Sequence, residues 1–160
     1  MASNKQLAKR FREVTLNGKW IANTNLHDQL RDITLEQALT QIADLNTMAQ
    51  LTFHLNYYIS GVLNVLEGGK LEIRDKFSFD LPKMNSEQEW NALKADLFSN
   101  SEKFAEHIEL LSEEKLNADF VKTDYGDFRR NIEGMIEHSY YHLGQIVLLK
   151  KMVAQLYGKQ

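Results

Sequence analysis

Three histidines carry the chemistry most open to this sequence. His138 and His142 stand four apart in the run EGMIEHSYYHLGQIVLLKK, and His54 lies in TMAQLTFHLNYYISGVLNVLEG. Four residues are slightly more than one helical turn, so His138 and His142 share a face with Cβ atoms about 6 Å apart. Two imidazoles at that separation can converge on one ion, and a third from a facing helix makes a three-histidine set inside a bundle. Neutral imidazoles suit zinc, nickel, iron or copper and leave coordination positions open for water or substrate. The spacing His-x-x-x-His alone recurs by chance, and its bland reading is two hydrogen-bonded surface histidines. What favours the ion is that all three fall on stripes that face inward, where an unliganded imidazole must find its own partner. Ser139 follows the first histidine where a zinc metalloprotease would carry glutamate, so the pattern is not that motif.

Neighbouring residues have weaker claims. Gln145 follows His142 by three and can reach a pocket to hold a water, or bond a neighbouring helix. Tyr58 follows His54 by four and can line the same cavity, or serve as plain core. Glu137 adjoins His138 and on a helix points elsewhere, so it is not assigned as a general base. His27, in an irregular connection, and His107, beside an apolar stripe, read as surface histidines. Gly61, Gly134 and Gly144 sit inside predicted helices at a cost of about 1 kcal/mol each against alanine. Close approach of another helix explains them, and so does room for a ligand beside the metal. Tyr57, Tyr58, Tyr140 and Tyr141 cannot all face inward, which leaves some rings for a dimer surface.

The histidines need long helices to position them. A first helix is predicted over about 3–16, with Leu7, Phe11 and Val14 on one face and Gly18 beyond its end. A connection follows in which Trp20 and Ile21 are expected under the bundle. It holds a short helical candidate at 25–31 and a further turn from Thr34. The second long helix starts near Thr47, which with Gln50 matches a capping box, and stops at Gly68-Gly69. Its stripe reads Leu51, His54, Leu55, Tyr58, Val62, Val65. Residues 70–85 read as a long loop, with a short extended piece at Phe77, Phe79 and Leu81 that Pro82 closes. Ser86 and Glu89 cap a third long helix with the stripe Trp90, Leu93, Leu97, Ser101, Phe104, Ile108, Leu111. Ser112 can add a turn, and 120–130 reads as extended around a turn at Asp124. The last helix runs over about 130–156 on Met135, His138, His142, Ile146, Leu149 and Val153. Four such helices make an all-α four-helix bundle.

Composition limits the alternatives. The chain of 160 residues is long enough for one domain with a full core. Without cysteine it has no disulfide, thiolate ligand or cysteine nucleophile. A net charge of −3 with acids and bases interspersed recommends neither nucleic acid nor an anionic membrane. The opening MASNKQLAKRFREV lacks the apolar stretch of a secretory signal, and no apolar run is long enough to span a bilayer. A cytoplasmic protein is the expectation.

With these residues in view, the chain resembles the DinB-like superfamily of the DinB/YfiT type over essentially its whole length. The resemblance rests on the helix carrying His54, the long third helix, and the segment His138-Ser-Tyr-Tyr-His142-Leu-Gly-Gln-Ile. It implies an up-down-down-up bundle, often dimeric, and a divalent metal, commonly zinc or nickel, on His54, His138 and His142. Relatives include transferases and isomerases that use low-molecular-weight thiols, the metal binding the sulfur. Three functions therefore compete: a metal-dependent enzyme, either a thiol S-transferase acting on an electrophile or a hydrolase; a non-catalytic metal-stabilised helical dimer serving as a binding or stress-response module; and a plain dimer whose site stays empty. No residue is identified as the general acid or base.

Overall fold

The computed structural model describes residues 2–158. Seven α-helices follow in order: α1 (Asn4–Thr15), α2 (Leu26–Leu30), α3 (Leu35–Leu39), α4 (Met48–Leu66), α5 (Glu87–Leu110), α6 (Glu113–Leu116) and α7 (Phe128–Tyr157). Among the described residues there is no β-strand, only an isolated bridge between Asp119 and Asp127. The four long helices are α1, α4, α5 and α7, and they make the bundle.

Local chemistry starts each of them. Ser3, Thr47 and Ser86 accept from the backbone N–H three residues on, and Gln6, Gln50 and Glu89 reach back to the cap residue's own N–H. Each box satisfies two of the donors that a helix start leaves without partners. Asp127 caps α7 through the Arg130 N–H. Inside, Leu7 and Phe11 of α1, Leu51, Leu55 and Ile59 of α4, Trp90, Leu97, Phe104 and Ile108 of α5, and Ile132, Leu143 and Ile146 of α7 are buried together. Trp90 donates from its indole to the Ile33 carbonyl at 2.7 Å, so a polar atom buried with the largest core ring is satisfied.

Cross-bundle contacts fix the direction of every helix. Asn4 donates to the Glu109 and Leu111 carbonyls while Arg12 pairs with Glu102, so α1 and α5 are antiparallel. Asn56 meets Asn100 and Glu67 meets His107, so α4 and α5 are parallel. Leu51 lies by Leu148 and Val62 by Gly134, so α4 and α7 are antiparallel. Arg129 reaches the Ala2 carbonyl, and Tyr140 reaches the Trp20 carbonyl just beyond α1, so α1 and α7 run together. The order is up-down-down-up.

That order dictates the path of one loop. Consecutive parallel helices need a connection that returns along the bundle, and the 19 residues of α4 rise about 28 Å. Residues 67–86 make this return. Tyr57 holds them by donating to the Arg74 carbonyl at 3.1 Å and accepting from its N–H at 2.8 Å. Gly61 lets them lie close, because a Cβ there would stand 2.4 Å from Ile73 Cγ2. The crowding at Gly61 thus comes from a loop, not from a second helix.

Three expectations are corrected. Trp20 and Ile21 are not under the bundle but 70% and 64% exposed; Leu26 and Leu30 of α2 fill that space. The segment Phe77–Leu81 is not extended, since Asp75–Phe77 forms a 3₁₀ turn and no neighbouring strand offers it a ladder. Residues 120–130 do turn where expected, at Thr123–Tyr125 with a bridge between Asp119 and Asp127 on either side, but the last helix starts at Phe128 and not near Arg130, because Asp127 supplies its cap.

Candidate metal centre

His54 sits two turns into α4, and His138 and His142 lie near the middle of the antiparallel α7. Their Nε2 atoms converge. His138 Nε2 is 3.1 Å from His54 Nε2 and 2.8 Å from His142 Nε2. Nitrogens held about 2 Å from a shared ion stand roughly 3 Å apart, so the spacing suits a common ion.

The outer nitrogens orient the inner ones. His142 Nδ1 lies 2.7 Å from the Gln145 amide oxygen, and His54 Nδ1 lies 3.3 Å from the Ser78 carbonyl. Each carbonyl oxygen accepts a hydrogen bond from Nδ1–H, which leaves the Nε2 lone pair of His54 and His142 aimed at the centre. His138 Nε2 faces both. A single proton on it cannot satisfy two bare nitrogens well, whereas a cation satisfies all three. This cluster of His54, His138 and His142 can hold a metal ion.

An aromatic shell surrounds the rings. Phe79 stacks on His54 with centroids 4.0 Å apart, Tyr58 meets His54 and His138 edge-on at 5.0 and 5.4 Å, and Tyr141 packs on His142 at 4.9 Å. His54 and His142 are buried and His138 is half-buried. Burial, reinforced by the charge of neighbouring histidines, pushes His54 and His138 down to about 4. Burial also lowers His142, against the opposing bond from Gln145. All three are therefore neutral near pH 7, the form that ligates metal.

One face of the cluster is open. His54 and His138 line a cavity of about 490 Å³ between α4, α7 and the crossover loop. Tyr58 lines it too, with its hydroxyl donating to Asp75 Oδ1 at 2.8 Å. Burial and that bond both raise the Tyr58 phenol above its usual range. Gln145 is not in the lining of this cavity and, among the described residues, bonds no neighbouring helix; it holds His142 and borders a separate hollow with Leu51 and Leu148. Glu137 points to solvent, facing Arg130 at 3.6 Å. His27 packs on Phe98 at 4.7 Å and His107 faces Glu67 at 3.6 Å, both away from the cluster. Gly134 borders the cavity with open space where a Cβ would be; Gly144 has open space too, on an exposed position.

Sequence reasoning missed Ser78, Phe79 and Asp75. All three reach the site through the crossover loop. A visible signal is the pair of phenylalanines, Phe77 and Phe79, in a polar loop, whose alternation also fits a strand.

Two antiparallel helices bearing converging histidines, with a third element closing over them, define a helical bundle with a candidate metal centre. The chain belongs to the DinB superfamily, whose family model matches residues 21–146. The match takes in all three histidines and the crossover loop, and leaves α1 and the last turns of α7 outside it, a narrower span than the whole chain. Comparisons with curated proteins and with solved structures gave no match.

Proposed function

We propose that this protein is a divalent-metal-dependent enzyme, with zinc or nickel on His54, His138 and His142, that activates a low-molecular-weight thiol for transfer to an electrophile. The observation carrying this reading is that the converging Nε2 atoms open on one side into a cavity of small-molecule size. A divalent ion there would act as a Lewis acid, lowering the pKa of a bound thiol or water to supply a nucleophile at neutral pH. The chain's own contribution is to keep three imidazoles neutral, to fix the tautomer of His54 and His142 through Ser78 and Gln145, and to cover the rings with Phe79, Tyr58 and Tyr141. Neutral imidazoles leave the ion its full charge, which favours a thiolate over a thiol.

The test is elemental analysis of protein purified without a histidine tag, followed by thiol-dependent conjugation of an aryl halide with and without the ion. The expected result is one ion per chain and conjugation that chelation abolishes. One ion with no conjugation, and a melting temperature that falls in His142→Ala, would instead mark a metal-stabilised binding module. Absence of metal would point to a plain bundle.

A further inference from the structure

The cavity beside the histidines has a polarity that the metal chemistry does not use. Its floor is apolar, with Val62, Leu71, Ile73 and Met135. Its only carboxylate among the described residues is Asp75, held by Tyr58 beside the histidine end. Among the described residues Arg130 is its one cationic side chain, the histidines being neutral. Arg130 is the third residue of α7 and stands eight residues before His138, about 12 Å along the helix axis. The guanidinium pairs only with Glu137 among the described residues, at 3.6 Å and exposed on both sides, which is weak; the nearby Asp127 carboxylate accepts from the Arg130 backbone N–H at 2.7 Å.

We infer that this cavity binds an elongated small molecule whose donor atom reaches the three-histidine centre and whose carboxylate, at the other end, is taken by Arg130. This rests on the thiol reading above for the identity of the donor atom, but not for the anionic end. Asp75 sets the direction, since a carboxylate placed at the histidine end meets its charge while one at the far end meets a guanidinium. The methylenes between lie over the apolar floor. Gly134 keeps the middle of the passage clear, because an added Cβ there would meet no atom within 4 Å.

A ruler experiment tests this. Cobalt(II)-loaded protein is titrated with ω-mercaptoalkanoic acids of increasing chain length and with the matching ω-mercapto alcohols, reading the thiolate-to-cobalt absorption band. The acids should bind about tenfold tighter than the alcohols at an intermediate length and lose that advantage at short lengths. Arg130→Gln should level acid and alcohol. Glu137→Gln, which removes the competing carboxylate, should strengthen acid binding. Gly134→Leu should weaken both series while metal content and melting temperature hold. If acid and alcohol bind alike at every length, or Arg130→Gln leaves the preference intact, the inference is wrong. If no thiol produces the band, the thiol reading fails, and calorimetry with octanoate against octanol decides the cavity separately. Preference for octanoate that Arg130→Gln abolishes sustains the anionic end, and equal binding overturns it.

Discussion

Phe79 lies flat on His54, 13° from parallel with centroids 4.0 Å apart, although it comes from a loop and His54 from a helix. The stack makes that loop part of the histidine site. It also separates two jobs that one buried ring could do, holding the imidazole and holding the fold.

Phe79→Ala should therefore lower metal affinity about tenfold, while the melting temperature moves little. The ring is 36% exposed and contributes more to His54 than to the core. Competition with a chromophoric chelator reads the affinity and thermal denaturation reads the fold. Equal affinity in the variant would reduce Phe79 to a cover.

Gln145→Leu removes the acceptor 2.7 Å from His142 Nδ1. Loss of such an outer partner typically costs ten- to a hundredfold in metal affinity. The same chelator titration should show a fall of that order, with Gln145→Glu retaining binding because a carboxylate still accepts the proton. If Gln145→Glu binds no better than Gln145→Leu, the tautomer argument fails.

The metal-free protein should lose stability in mild acid. His54 and His138 are held at about 4 in the folded state against 6.5 unfolded, and His142 is lowered as well. As pH falls below about 6.5 the unfolded chain takes up protons first, so the contribution is complete above that pH, declines toward pH 4 and then levels off. Urea unfolding of the metal-free protein between pH 7 and 4 should follow this course. His138→Gln should show a shallower slope; an unchanged slope would mean that His138 is not held neutral.

Gly61→Ala sets two effects against each other. Alanine favours the helix by up to about 1 kcal/mol, but its Cβ would stand 2.4 Å from Ile73 Cγ2 and press the loop outward, where overpacking costs about 1–3 kcal/mol. The net expectation is unchanged or slightly lower global stability with faster proteolysis between residues 70 and 79. Digestion kinetics equal to wild type would show that Ile73 yields without moving the loop.

These cases also show where the sequence was informative. The boxes Thr47/Gln50 and Ser86/Glu89 are local, acting within one turn, and both helix starts were read from them. The histidine stripes were readable for a similar reason, since periodicity tells which face a residue shares with Leu51 or Ile146. What stayed hidden depends on residues far apart in sequence. Nothing near Phe79 specifies that it will meet His54, because the path of residues 67–86 follows from α4 and α5 being parallel. Trp20 and Ile21 were misplaced because apolarity says that a side chain gains by burial, not that space is left; Leu26 and Leu30 had taken it. Gly61 was read as a meeting of helices because a glycine inside a helix does not disclose what approaches it.

The parallel pairing of α4 and α5 bears on how relatives of this protein can diverge. The histidines are anchored by the packing registers of α4 and α7, where a shift of one residue would rotate a ligand away by about 100°. The roof over them is spelled by a stretch with no register to keep, pinned at a few points such as Tyr57 and Asn64. Outside Ser78 and Phe79, which hold His54, lengthening, shortening or rewriting that stretch changes which molecules meet the imidazoles and leaves the helical registers of the ligands alone. Mutational drift in ligand choice should thus accumulate in residues 70–85 well ahead of the helices.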